Sequence, residues 1–183
     1  MSLSVRTGIC AIFLTATLAW ADVTNCGCDP LKPETLQARE CSLCREAQKQ
    51  PESAEIFFLK DINPRKPNRW LALTRMYVQS GRIELLPREL QVKLWKAAIA
   101  KARELWGDDW GLAYNSILNR TQCHTHIHIG KLLKGLSPGR FVDVDRVEQI
   151  QVPKDGSGLW VHPVGGKLRV HYGEGITETA LLR

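Results

Sequence analysis

The segment QCHTHIHIG, residues 122–130, holds three of the chain's five histidines, at His124, His126 and His128. In an extended strand successive side chains point to opposite faces, so these imidazoles share one face while Thr125, Ile127 and Ile129 share the other. Neighbouring rings on such a row start from Cα atoms roughly 6.5 to 7 Å apart, close enough to act on one small group or to hold one metal ion. Imidazole titrates near neutrality, so one ring can be an unprotonated nucleophile while its neighbour stays a proton donor. Attack on phosphorus suits that division: a ring nitrogen displaces the leaving group, and water then resolves the phosphohistidine. Neutral imidazoles at H-x-H spacing are also common zinc ligands, so zinc-dependent hydrolysis is the competing chemistry.

The elements that must position this row can be read on either side of it. "EIFFLKD" (55–61) and "WLALTRMYV" are short apolar strands joined by the polar turn "NPRKPNRW", which predicts a hairpin. Pro87 stands where the first turn of a helix tolerates it, and Leu90, Leu94, Trp95, Ala98, Ile99, Ala102, Leu105 and Trp106 recur at helical spacing until Gly107. That stripe reads as core packing, with Lys93, Lys96, Lys101 and Arg103 on the solvated side. "GLAYNS" is a further strand, "ILNR" a loop, and the histidine strand comes next. After it lie a basic Gly-rich loop, "GKLLKGLSPGR", an alternating strand, "FVDVDRV", and "LWVHPVGGKLRVHY", a hairpin about Gly165-Gly166. The expected fold class is α+β, an antiparallel sheet backed by one long helix. The chain divides into a Cys-rich extension (22–50), a core (51–140) and a C-terminal β-rich extension (141–183).

The opening "MSLSVRTGICAIFLTATLAWAD" has a lone Arg6, an apolar run of about a dozen residues and an A-x-A end, which reads as a secretory signal cleaved after Ala21. The run is short for a membrane span, so cleavage is expected over retention as an anchor. Loss of Arg6 takes the formal charge from +6 to +5, a modest excess that fits anionic small-molecule or lipid partners; no nucleic-acid partner is expected. In an oxidising compartment Cys26, Cys28, Cys41 and Cys44 read as two disulfides with three pairings open, and Cys123 is the fifth cysteine of the cleaved chain. The C-x-C and C-x-x-C spacings also suit zinc. In the loop after the histidines, Leu132, Leu133 and Leu136 beside Lys131, Lys134 and Arg140 suit shallow contact with an anionic membrane surface, the alternative being buried leucines and solvated charges.

"HTHIHI" resembles the H-φ-H-φ-H-φ-φ signature of the histidine triad superfamily, and "FFLKDINPRKPNRWLALTR" resembles that family's nucleotide-binding hairpin; the similarity covers about residues 41–134. "NSILNRTQCHTHIHI" is most similar to the CDP-diacylglycerol pyrophosphatase branch. The resemblance implies a histidine-triad-like fold and hydrolysis of a phosphoanhydride in a nucleotide-containing substrate, with CDP-diacylglycerol first and soluble nucleotide conjugates next. It implies His126 as nucleophile, His128 on the phosphate or assisting proton transfer, and His124 orienting the row. Asp61 would accept from ribose and Ile62 would lie against the base, unless Ile62 is plain core packing. Asn115, Arg120, Thr121 and Gln122 would line the phosphate loop. Arg120 has its own warrant, since a guanidinium beside imidazoles suits bidentate phosphate binding. No cofactor is required on this reading. Zinc-bearing members would use Cys41, Cys44 and His124, but the histidine they add after the second hairpin strand is Tyr77 here, so Cys26 or Cys28 would have to supply the missing ligand. The superfamily suggests a homodimer. A non-catalytic nucleotide-binding module is the remaining alternative.

Overall fold

The computed structural model describes residues 23–136 and 139–183. The stretch read as a signal sequence and part of the basic loop lie outside them.

The helical stripe packs one long helix on one face of the sheet. A short helix, α1 (Ser42–Gln48), lies in the N-terminal extension, and the long helix, α2, spans Arg88–Trp106. Pro87 is the residue that caps α2, and Gly107 (φ 57°) ends it in a conformation that side-chain-bearing residues avoid. Leu90, Leu94, Trp95, Ala98, Ile99 and Ala102 are buried along one side of α2. They pack on Ala72, Leu112, Tyr114, Ile127, Ile129 and Val161 of the sheet.

The strands are β1 (Ile56–Lys60), β2 (Trp70–Thr74), β3 (Trp110–Tyr114), β4 (His126–Lys131), β5 (Phe141–Val144), β6 (Gly158–Val164) and β7 (Lys167–Glu174). They form one antiparallel sheet in the order β1-β2-β4-β3-β6-β7-β5. The fold is α+β, and residues 141–183 supply three strands of the same sheet that carries the histidines. Both expected hairpins form, the second turning through Gly165 (φ 56°) and Gly166 (φ 82°).

Register links distant residues. Leu71, His128, Ala113, Trp160, His171 and Phe141 stand side by side across six strands, on the face opposite α2 by alternation. Two chain ends cover that face. Ala47 of α1 packs with Phe57, Leu71 and Leu73 over β1 and β2. The C-terminal strap, a 3-10 helix at Thr177–Ala180 and the tail beyond it, lays Ala180 and Leu181 on Ala113 and Trp160. Small residues make its slot: a Cβ on Gly111 would lie 2.5 Å from Leu181 Cδ2, and one on Gly130 3.2 Å from Leu181 Cβ. The Leu133 and Leu182 amides donate to the Ala180 and Lys131 carbonyls, at 2.8 Å each. Leu132 and Leu136 pack into the same cluster, so the fold itself uses two of the three loop leucines. Among the described residues no helix is long and apolar enough to cross a membrane.

The expected disulfide set needs correction. Two bridges are present, but they join Cys26 to Cys123 and Cys28 to Cys41, leaving Cys44 a free, buried thiol. Cys123 is drawn to the N-terminal extension, where its amide donates to the Glu40 carbonyl at 2.8 Å, and the five cysteines among the described residues meet in one small cluster with Val23 and Leu36. Burial pushes the Cys44 thiol up to about 12, so it is inert. The bridges fit an oxidising compartment.

Candidate functional site

The histidine strand begins two residues later than alternation suggests, at His126. The Cys26–Cys123 bridge anchors the residue before His124 to the N-terminal extension, and the backbone at Gly81 packs closely on His124. A Cβ there would sit 2.6 Å from the His124 carbonyl carbon, and φ is +60°, so the contact calls for glycine. All three histidines are nevertheless buried side by side, His124, His126 and His128 being 1%, 5% and 7% exposed.

Backbone carbonyls decide two of the tautomers, because a carbonyl can only accept. His124 Nε2–H donates to the Thr74 carbonyl at 2.6 Å, which ties the row to β2. His126 Nδ1–H donates to the His124 carbonyl at 2.7 Å. Burial, outweighing that carbonyl, lowers His126 to about 4, so at neutral pH its Nε2 is a bare lone pair. Its ring meets that of His128 edge-on, with centroids 5.0 Å apart. Burial and then the neighbouring His126 lower His128 to about 3.

Asn115 Oδ1 accepts from the Thr177 hydroxyl (3.1 Å) and the Glu178 amide (3.0 Å). That turns the amide nitrogen toward His128 Nε2, at 3.5 Å. On the other side of His128, Glu178 Oε2 lies 3.6 Å from Nδ1. The same oxygen accepts from Lys66 at 2.6 Å and Arg69 at 2.8 Å. Burial opposes the Glu178 charge, but His128, Lys66 and Arg69 outweigh it and hold the carboxyl at about 2. Arg69, 2% exposed, also donates to the carbonyls of Glu178, Leu181 and Leu182, fastening the strap across the histidine face.

Arg120 is buried. Its Nη1 donates to the Gly81 carbonyl (2.5 Å) and Tyr114 hydroxyl (3.0 Å), while Nε and Nη2 have no protein acceptor. Its charge is near enough to His126 to disfavour protonation there. The structure thus brings together His124, His126, His128, Asn115 and Arg120. Other expected residues go elsewhere. Thr121 is exposed. Gln122 accepts from the Ser42 hydroxyl (2.8 Å) and Leu43 amide (3.3 Å) and donates to the Arg39 carbonyl (3.1 Å), so it staples the N-terminal extension. Asp61 and Ile62 lie in the β1–β2 turn, where Asp61 Oδ1 accepts from the Asn63 amide at 2.9 Å. Ile62 is 97% exposed, which rules out core packing.

Lys66, Arg69, Thr177 and Glu178 escaped sequence reasoning. The basic turn before β2 was visible, but its acidic partner lies 109 residues away in the chain. The residues do not fit the family-type zinc set, since Cys41 is oxidised and His124 Nε2 carries a proton to Thr74. Set against known proteins, the chain matches no family model and no curated protein.

Proposed function

We propose that this protein is a hydrolase that cleaves a phosphoanhydride bond in a nucleotide-containing substrate through His126, with CDP-diacylglycerol as leading substrate and a histidine-triad-like arrangement of sheet and helix. The observation that carries the reading is the His126 Nδ1–H bond to the His124 carbonyl, which leaves Nε2 as a fixed lone pair. That nitrogen attacks phosphorus, the Nε2–P bond forms, and the P–O bond to the leaving phosphate breaks with its electron pair. Positive charge arising on the ring is met by the His124 carbonyl. Water then attacks phosphorus and returns His126 to its neutral form, with neutral His128 accepting or relaying the proton. The free Nε and Nη2 of Arg120 are donors suited to phosphate oxygens.

The Glu178 carboxylate already occupies the cationic pair of Lys66 and Arg69 beside neutral His128, so an incoming phosphate competes with it. One second reading has an observation in its favour. With the row closed under the strap, the protein would bind nucleotides without turnover.

The test is hydrolysis of CDP-diacylglycerol in mixed micelles and of soluble nucleotide conjugates, with and without chelator, by the full mature chain and by His126→Asn. Turnover by the parent should fall in the variant by at least about a thousandfold, because no other group there replaces an activated nucleophile. Acid quenching should trap a labile phosphohistidine in the parent alone. Near-normal turnover by His126→Asn would overturn the assignment, and nucleotide binding without turnover by the parent would establish the second reading.

A further inference from the structure

A second pair of histidines stands on the β6–β7 hairpin, and nothing in the proposed hydrolysis uses it. His162 is paired in register with Arg169, and His171 with Trp160, so the two imidazoles are diagonal neighbours on the face that carries His128. Their Nε2 atoms point at each other across 3.1 Å. His171 is held rigidly: its ring stacks on Trp160, with centroids 3.6 Å apart and planes within 4°, and Phe141 flanks it at 5.5 Å. His162 stacks on the same indole at 5.1 Å and 17°. The pair opens into a cavity of about 330 Å³, walled by Leu132, Leu133, Lys134 and Leu136.

We infer that His162 and His171 form a two-imidazole chelate for a divalent transition-metal cation of the copper(II) or zinc(II) class, bound at the mouth of this cavity. The geometry fits. With metal–nitrogen bonds of about 2.0–2.1 Å, donors 3.1 Å apart subtend roughly 100° at the metal, between the square-planar and tetrahedral values. Tautomers agree for His162: the Pro163 carbonyl beside its ring favours a proton there. With Nε2 turned to His171, that proton belongs on Nδ1, leaving Nε2 as the lone pair a metal takes. His171 Nδ1 is buried without a partner. In the metal-free protein one Nε2–H is therefore shared between the two rings; a cation replaces it, and the proton moves to His171 Nδ1. Placing that donor where it has no acceptor costs affinity.

Among the described residues no third His, Cys, Asp or Glu joins the pair. The nearby Asp143 carboxylate is taken in a two-pronged bond by Arg169, at 2.7 and 2.9 Å. Water or a small anionic ligand from the cavity completes the shell. Such a site is an exchangeable one, with a dissociation constant on the order of micromolar.

The experiment is titration of the tag-free mature chain with copper(II) or zinc(II), followed by calorimetry and, for copper, by quenching of indole fluorescence and by electron paramagnetic resonance. One equivalent should bind, with signals of coordinated imidazole nitrogen and quenching of the stacked Trp160. His162→Ala, at a half-buried position, should weaken binding by at least about tenfold. His171→Gln should do the same, while His126→Asn should bind as the parent does. No saturable binding below about 1 mM, or unchanged binding by both His162→Ala and His171→Gln, would overturn the site. Loss of binding in His126→Asn alone would also overturn it, by placing the metal on β4.

Discussion

His126 and His128 on β4 and His162 and His171 on the β6–β7 hairpin project from one face of one sheet, joined through the row His128, Ala113, Trp160, His171. In the first pair each ring is aimed by a different protein group: a backbone carbonyl for His126, and Asn115 with Glu178 for His128. The second pair has aromatic support, and its Nε2 atoms face each other beside an open cavity. Residue type and sheet face are the same in both. What differs is the partner of the other ring nitrogen, which decides whether a lone pair is offered to a reacting phosphorus or shared across a cleft. The C-terminal strap makes the second difference, since it seals the first pair and stops short of the second.

Breaking the strap should separate the two pairs most strongly. Arg69 is buried and joins Glu178 to three carbonyls of the strap. Arg69→Ala leaves the Glu178 charge and those carbonyls without their principal donor, so unfolding in denaturant should show a loss of about 3–5 kcal/mol. The outwardly similar Arg169–Asp143 pair lies at the sheet edge beside the second pair and fastens no covering segment. Arg169→Ala should therefore cost much less. Equal losses in the two variants would show that the strap is held by apolar contacts at Leu181 and not by Arg69.

Acid should discriminate next. His124, His126, His128 and His171 are lowered by burial to about 4, 4, 3 and 4, while in the unfolded chain they titrate near about 6.5. The unfolded state then binds protons that the folded state refuses. Stability should be level above about pH 7 and fall as pH drops from about 6.5 toward 4, by up to about 1.4 kcal/mol per group per pH unit. Glu178 has the same ordering in a lower window: held at about 2, it contributes stability above its unfolded value of about 4.3 that is lost as pH falls through 2. Thermal unfolding between pH 7.5 and 4.5 checks the histidine window. His126→Asn and His171→Gln should each shed about one proton of the dependence. A melting temperature constant across this range would mean that the rings are solvated and that neither lone pair is fixed by burial.

The parts of this comparison that were legible in the sequence are the locally encoded ones. The stripe from Leu90 to Ala102 could only be a buried helix face, and Gly165-Gly166 between alternating strands could only be a tight hairpin. His126 and His128 declared a shared face by their spacing alone. What stayed hidden depends on chain segments that meet only after folding. Four clustered cysteines suggested pairing among themselves, yet the Cys26–Cys123 bridge spans 97 residues, and no local pattern marks it. Glu178 sits in a polar C-terminal stretch whose role emerges only when Gly111 and Gly130 open a slot for Leu181. The diagonal meeting of His162 with His171 likewise depends on β6–β7 register, which the turn fixes but the histidines themselves do not advertise.

The smallest expected effect concerns the β1–β2 turn. Ile62 stands 97% exposed in the β1–β2 turn. Asp61 braces that turn: its amide donates to the Arg69 carbonyl and its Oδ1 accepts from the Asn63 amide, both at 2.9 Å. An apolar side chain so exposed adds little to folding, and Ile62→Ser should change unfolding free energy by no more than about 0.5 kcal/mol. If the turn receives a nucleobase, as the resemblance implies, partial burial of Ile62 against it contributes on the order of 1 kcal/mol to substrate binding. KM for a nucleotide substrate should then rise about fivefold with kcat unchanged, since the contact is made equally in ground state and transition state. Copper or zinc binding at His162 and His171 should not move. A KM equal to the parent's would remove the base from this turn and point to an approach to His126 from the strap side, past Lys66 and Glu178.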